Sequence, residues 1–298
     1  MNNIKRILIS GGTHGNELTG VQLIRKWKAQ PELCEAKAKG IELSTLIANP
    51  PAVLAVRRYI DQDLNRSFSL NSLNDTNPSM SVEAHRAKQL NALYGPKGEN
   101  TQTDLILDIH NTESNMGISL ILSEANAFTQ RASAEIASEF SGVFIYFQPE
   151  ERSQSPYLGT LARADVCIEV GPQSHGTLQA GLFEKTEQVV YRFLELAQEW
   201  NEGVLQNKPK KKLSVYTHYK DIDYPRDKNN NISAMIHPDL QGQDYVLLEQ
   251  GSPLFRTFYG EDVLYTEAKT LCPIFINEAA YYEKKIAMTL TSKSIEEW

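Results

Sequence analysis

The chemistry legible in this chain begins with three ionisable residues near strand ends. His14 and Glu17 stand three residues apart in Arg6-Ile-Leu-Ile-Ser-Gly-Gly-Thr-His-Gly-Asn-Glu-Leu-Thr-Gly20, where an apolar run passes two glycines into a helix. Side chains at that spacing project from one side of a first helical turn. Imidazole nitrogen and carboxylate oxygen both suit a borderline divalent ion such as zinc. His110 ends the run Leu105-Ile-Leu-Asp-Ile-His110 and offers a third ligand. Asp108, two residues earlier on the same strand face, can accept the ring's other N–H. A His₂Glu set leaves a coordination position for water, as catalytic zinc sites require. Taken singly, each residue also reads as an ordinary polar group at a strand end.

Five more residues extend that set. Glu169 lies inside the apolar run Cys167-Ile-Glu-Val-Gly-Pro172. A charge there is costly unless it is paired, near a metal or facing a polar cleft. Near a metal it can take a proton from water and return it to a leaving amine; a salt-bridged structural glutamate is the alternative. Arg58, Asn65 and Arg66 can form a multi-donor receptor for carboxylates, or a structural loop paired with Asp61 and Asp63. Tyr281 reads equally as a packed aromatic.

The elements that must hold these groups alternate in type. Ile7 to Ile9, Ile41 to Ala48, Leu105 to Ile109, Ile118 to Leu122, Val143 to Phe147 and Val166 to Val170 read as strands. Helical spacing runs through Glu17 to Lys28, Ala52 to Tyr59, Val82 to Tyr94, Ala125 to Phe140 and Leu182 to Glu199. This alternation predicts an α/β fold with helices on both faces of a parallel or mixed sheet, and ligands bind beyond the carboxyl ends of such strands. Asn201 to Lys212 reads as a solvated linker. Short strand-like segments near Tyr216, Met235, Tyr245, Leu254 and Val263 then predict a smaller β-rich domain. The expected division is 1–204, catalytic, and 205–298, β-rich and contributing to the substrate site.

Charge narrows the partners. With 30 basic and 37 acidic residues the net charge is −7, which disfavours nucleic acid and anionic membrane. An anionic substrate must therefore be attracted by local arginines. Cys34, Cys167 and Cys272 lack paired spacing, which points to a reducing compartment, the cytoplasm. The apolar run after the N-terminus is too brief for a signal peptide, and no segment reaches the roughly 18 apolar residues of a membrane helix.

Six segments together resemble the aspartoacylases, within the aspartoacylase and succinylglutamate desuccinylase group. They are Gly11 to Gly20, Tyr59-Ile-Asp-Gln-Asp-Leu-Asn-Arg66, Asp108-Ile-His-Asn-Thr-Glu-Ser-Asn-Met-Gly117, Ile168-Glu-Val-Gly-Pro-Gln173, Asp223-Tyr-Pro-Arg-Asp227 and Ile276 to Lys285. The resemblance implies a zinc carboxypeptidase-like mixed sheet with helices on both faces, plus a smaller β-rich C-terminal domain. It implies one zinc per subunit held by His14, Glu17 and His110, with Glu169 as general base and acid. Arg58 would polarise the scissile carbonyl, Asn65 and Arg66 would take a substrate carboxylate, and Tyr281 would reach in from the second domain. The implied reaction is hydrolysis of small anionic N-acyl amino acids, foremost N-acetyl-L-aspartate to acetate and L-aspartate, by a cytosolic homodimer. The alternatives are other N-acetyl amino acids, succinylated substrates, or a non-catalytic metal-carboxylate receptor. One departure stands out. Where mammalian aspartoacylases carry a tyrosine and, four residues on, an arginine for the aspartate side chain, this chain has Tyr157 and Leu161, with Arg163 offset.

Overall fold

The computed structural model describes residues 3–77, 79–124 and 126–298. Twelve strands form in chain order: β1 (Arg6–Gly11), β2 (Glu42–Ile47), β3 (Leu105–Asn111), β4 (Ile118–Leu122), β5 (Val143–Phe147), β6 (Ala164–Val170), β7 (Lys212–Ile222), β8 (Ala234–Ile236), β9 (Pro253–Thr257), β10 (Asp262–Leu264), β11 (Cys272–Ile274) and β12 (Met288–Glu297). Nine of them make one sheet in the order β11-β12-β7-β5-β4-β6-β3-β1-β2, and β10-β9-β8 make a small second sheet. The large sheet is mixed. β2, β1, β3 and β6 run parallel, as do β4, β5 and β7, while β4 meets β6 antiparallel.

Period-two alternation along β3 and β6 decides what each face carries. Leu105, Leu107 and Ile109 of β3, with Val166, Ile168 and Val170 of β6, enter one apolar core. That core is closed by the helices Leu18–Ala29, Ala127–Glu139 and Ala180–Asn201, through Leu23, Trp27, Phe128, Ile136, Phe193 and Leu194. On the opposite face Leu8, Leu46 and Ile106 pack with Ala87 and Leu90 of the helix Val82–Tyr94. The even positions Asp108 and His110, and the odd positions Asp165, Cys167 and Glu169, share this second face and line a cavity. The expected α/β architecture with helices on both faces is the one formed.

Several expectations fail locally, each for a physical reason. The helix expected over Ala52 to Tyr59 spans Pro50–Ala55 and stops where Val56 turns left-handed at φ 49°, so Arg58 sits on a loop. Proline at the first helical positions starts this helix two residues early. The helix expected from Ala125 is found over Ala127–Glu139; Ala125 itself lies outside the described residues. The expected solvated linker is partly packed: Leu205 is buried, and Arg131 donates to the Leu205 and Lys208 carbonyls. No strand forms at Tyr245, where the backbone turns at φ 66° and only an isolated bridge joins Leu248 to Leu271. The C-terminal strands also extend the large sheet, since β7 adds parallel to β5 and then carries β12 and β11. β12 pairs with β7 from Met288 to Glu297 although its outer half is Ser, Lys and Glu, a composition that hides a strand. Among the described residues, no helix is long and apolar enough to cross a membrane.

Candidate metal and substrate site

His14 sits in the turn after β1, and Glu17 caps the Leu18–Ala29 helix. The pair meets across that turn rather than along a helical turn: the Glu17 amide donates to the His14 carbonyl at 3.2 Å. Gly15 permits the fold of this turn. A Cβ there would lie 2.0 Å from the Ala52 carbonyl carbon, and its amide donates to the Arg58 carbonyl at 3.2 Å. The loop carrying Arg58 is thereby fixed against the turn carrying His14.

The three expected ligands converge. His14 Nδ1 is 2.7 Å from Glu17 Oε1, His110 Nδ1 is 2.9 Å from Glu17 Oε2, and the two ring nitrogens face each other at 3.2 Å. All three side chains are buried. The far nitrogens are both held by carboxylates: His14 Nε2 contacts Asp63 at 2.9 Å and His110 Nε2 contacts Asp108 at 2.8 Å. A neutral ring that donates through Nε2 presents a lone pair at Nδ1. Two lone pairs and a carboxylate then point at one place, which is a donor set suited to a divalent cation. Burial opposes the charge on Glu17, yet the flanking imidazoles hold its carboxyl well below the usual range. Burial likewise opposes a charged His110, and Asp108 and Glu17 overcome it, raising that ring well above its ordinary value.

Glu169 lies beside His110 across the β3–β6 pairing. Burial pushes its carboxyl up to about 8, with Glu17 and Glu278 adding to the rise and His110 and Arg58 opposing it. Arg58 donates to Glu17 at 3.1 Å and to Asp63 at 3.3 Å, and those two anions keep it charged against burial. Asn65 accepts from the Leu158 amide at 2.8 Å, which turns its NH₂ toward His110 at 3.5 Å. The Arg66 guanidinium stacks 4.8 Å from the centre of the Tyr157 ring and donates to the Asn65 carbonyl at 2.7 Å. Tyr281 enters on a short 3₁₀ turn, Ala279–Lys284, and packs 5.0 Å from Phe275. The structure thus brings His14, Glu17, Arg58, Asn65, Arg66, His110, Glu169 and Tyr281 to one cavity.

Two placements differ from, or go beyond, the sequence reading. Arg163 is half-exposed and pairs with Asp104 at 3.3 Å, away from this cavity, while Leu161 is buried in the core. Asp63 and Glu278 emerge as structural partners of the site. Asp63 joins His14 to Arg58, and buried Glu278 accepts from Thr112 and from the Glu113 amide, tying the C-terminal segment to the end of β3. Asp63 lies in the polar loop that the sequence flags, but a partner 49 residues from His14 carries no local signal.

Comparison with known proteins agrees with this geometry. The family model described as the succinylglutamate desuccinylase/aspartoacylase catalytic domain matches residues 3–197, and one described as the AstE/AspA barrel-sandwich hybrid domain matches residues 211–293. A protein from Trichodesmium erythraeum named "Probable aspartoacylase" is 43% identical over 295 residues, covering 98% of both chains. "Aspartoacylase" of Danio rerio is 40% identical, over 98% of this chain and 92% of that one. The human "N-acyl-aromatic-L-amino acid amidohydrolase (carboxylate-forming)" is 36% identical, over 97% and 91%. The crystal structure of murine aminoacylase 3 superposes with a TM-score of 0.93 at 33% identity, covering 100% of this chain and 98% of that one.

Proposed function

The chain belongs to the succinylglutamate desuccinylase/aspartoacylase family, a family of amidohydrolases, and we propose on that premise that it is a zinc-dependent hydrolase of N-acyl amino acids. The observation that carries the reading is the inward convergence of His14 Nδ1, His110 Nδ1 and Glu17, next to a buried carboxyl, Glu169, whose pKa burial pushes up to about 8. His14, Glu17 and His110 would hold one zinc per subunit. Zinc supplies Lewis-acid polarisation of an oxygen and a lowered pKa for water.

The remaining steps belong to this chain's own side chains. Glu169 takes one proton from the attacking water as the new C–O bond forms. It returns that proton to the amine nitrogen as the C–N bond breaks, which a carboxyl with a raised pKa is suited to do. Arg58, held by Glu17 and Asp63, directs its remaining donors at the carbonyl oxygen where negative charge develops. Asn65 and Arg66 hold the amino acid's carboxylate, and Tyr281 closes the cavity from the C-terminal segment. We place the enzyme in the cytoplasm as a homodimer, on the strength of its unpaired cysteines and its family resemblance.

For the amino acid, we put N-acetyl-L-aspartate first, since relatives that match over nearly the whole chain are named aspartoacylase. A second reading, other N-acyl amino acids, is favoured by the placement of Leu161 in the core and of Arg163 on the outer surface, which leaves neither to grip an aspartate side chain. The test of the class is direct. Zinc-loaded protein is incubated with a panel of N-acetyl amino acids and free amine is followed. Release that a chelator abolishes supports the reading; binding without release of amine rules it out.

A further inference from the structure

Beyond the convergence point the cavity continues along β6. Asp165 and Cys167 share its wall with Glu169, so Asp165 stands roughly 13 Å along the strand from the base at about 3.3 Å per residue. Ser123, after β4, and Gln148 and Glu150, after β5, close this far end together with Tyr157. Ser123 Oγ and Glu150 Oε2 are both shut away from the surface, and neither finds a hydrogen-bond partner among the described residues. Leaving a buried acceptor without a donor costs about 1–3 kcal/mol, and more for a charged group.

The nearby cations do not supply that donor. Arg152 directs its guanidinium at Asp165 and at the Gly159 and Ala162 carbonyls. Lys97 donates to the Phe68 and Ser155 carbonyls and to Thr160. Arg163 faces Asp104. Of the lysines and arginines, Arg58 and Arg66 line the cavity: Arg58 donates to Glu17 and Asp63 at the metal-ligand end, and Arg66 donates to the Asn65 carbonyl while its guanidinium lies on the Tyr157 ring. The far end therefore holds two carboxylates, Asp165 already paired through Arg152 and Glu150 with a free oxygen, beside the Ser123 and Tyr157 hydroxyls and the Gln148 amide.

We infer that this end is a side-chain subsite for N-acyl amino acids whose side chain terminates in N–H donors, an amide or an ammonium, with Glu150 as the residue that selects them. The inference rests on the N-acyl amino acid hydrolase reading and deepens its second form. A donor group brought to Glu150 and Ser123 gives both oxygens the partner they lack among the described residues. An aspartate carboxylate brought beside Glu150 adds a second acceptor and a like charge there, and is disfavoured.

The test compares kcat/KM of the zinc-loaded full chain for N-acetyl-L-glutamine, N-acetyl-L-ornithine and N-acetyl-L-aspartate. The expected result is a preference of at least about 10-fold for a donor-bearing side chain over aspartate, since sites built for a hydrogen-bonding group reject analogues lacking it. The glutamine and ornithine arms separate an amide from an ammonium. In Glu150→Gln the donor-to-aspartate ratio should fall by at least about 10-fold at unchanged zinc content. A purely structural role for Glu150 lowers all three substrates together and leaves the ratio alone. Ser123→Ala, which removes a small hydroxyl, should lower the same ratio to a smaller extent and serves where Glu150→Gln does not fold. A wild-type preference for aspartate, or a ratio that neither variant moves, overturns the subsite. Failure to hydrolyse any N-acyl amino acid, with zinc bound, overturns the enzyme class instead and the subsite with it.

Discussion

At the residue scale, the arrangement around His14 and His110 is built by carboxylates on the outer side of each ring. Asp63 and Asp108 fix which nitrogen carries the proton, and so which one offers a lone pair. We expect Asp108→Asn and Asp63→Asn each to weaken zinc binding by about 10–100-fold, measured by competition with a chelator of known affinity. His110→Ala should lose zinc altogether by elemental analysis; a full equivalent retained would exclude it as a ligand. Because Asp108 and Glu17 also favour a proton on His110, zinc must displace that proton, and affinity should fall as pH falls. Glu169→Gln should keep its zinc and lose at least about 100-fold in turnover, the low end of what a general acid–base group contributes. The wild-type acid limb should lie below about 8, because a cation, like His110 and Arg58, favours the carboxylate; the limb should vanish in the variant. His110 and Glu169 were legible because each interrupts or ends an apolar run, and His14 and Glu17 because they stand three residues apart past the glycines that follow one. Asp63 was legible only as part of a polar loop, since its pairing with His14 is made by the fold alone.

At the element scale, two glycines show how differently the same residue type acts. Gly15 has no room for a side chain: the atoms a Cβ would meet are the Ala52 carbonyl carbon at 2.0 Å, its oxygen at 2.3 Å and the Val53 amide nitrogen at 2.3 Å. These are backbone atoms and cannot rotate aside. Gly15→Ala should therefore separate the His14 turn from the Pro50–Ala55 helix, lowering the melting temperature and the zinc content together. Gly181, inside the Ala180–Asn201 helix, has open space around it. Gly181→Ala should stabilise the protein by about 0.5–1 kcal/mol in urea unfolding, with activity unchanged. The strand and helix order of the first 200 residues was readable because buried parallel strands are nearly continuous apolar runs. Helix ends were less readable, as the early start at Pro50 shows, because capping and proline decide them locally. β12 was missed because an edge-proximal strand with one wet face carries few apolar residues.

At the scale of the whole molecule, the C-terminal segment is bound to the catalytic layer through buried carboxylates, and one of them makes that junction sensitive to pH. Asp244 accepts the Asn115 amide at 3.1 Å and the Ile276 amide at 3.2 Å, joining the β3–β4 connection to the segment that leads to Tyr281. Burial raises its carboxyl from 3.8 to about 6; the two amides oppose the rise and Glu278 adds to it. A folded-state pKa above the unfolded one means the folded protein binds more protons between those values. The stabilising contribution is therefore complete below about 4 and is lost as pH rises through about 6. The shift corresponds to about 3 kcal/mol at 1.36 kcal/mol per unit. Asp244→Asn removes the titration. The stability of the wild type relative to this variant should accordingly fall by up to about 3 kcal/mol between pH 4 and pH 7.5, read by urea unfolding at matched ionic strength. A difference that stays constant over that range would show that folding does not raise the Asp244 carboxyl.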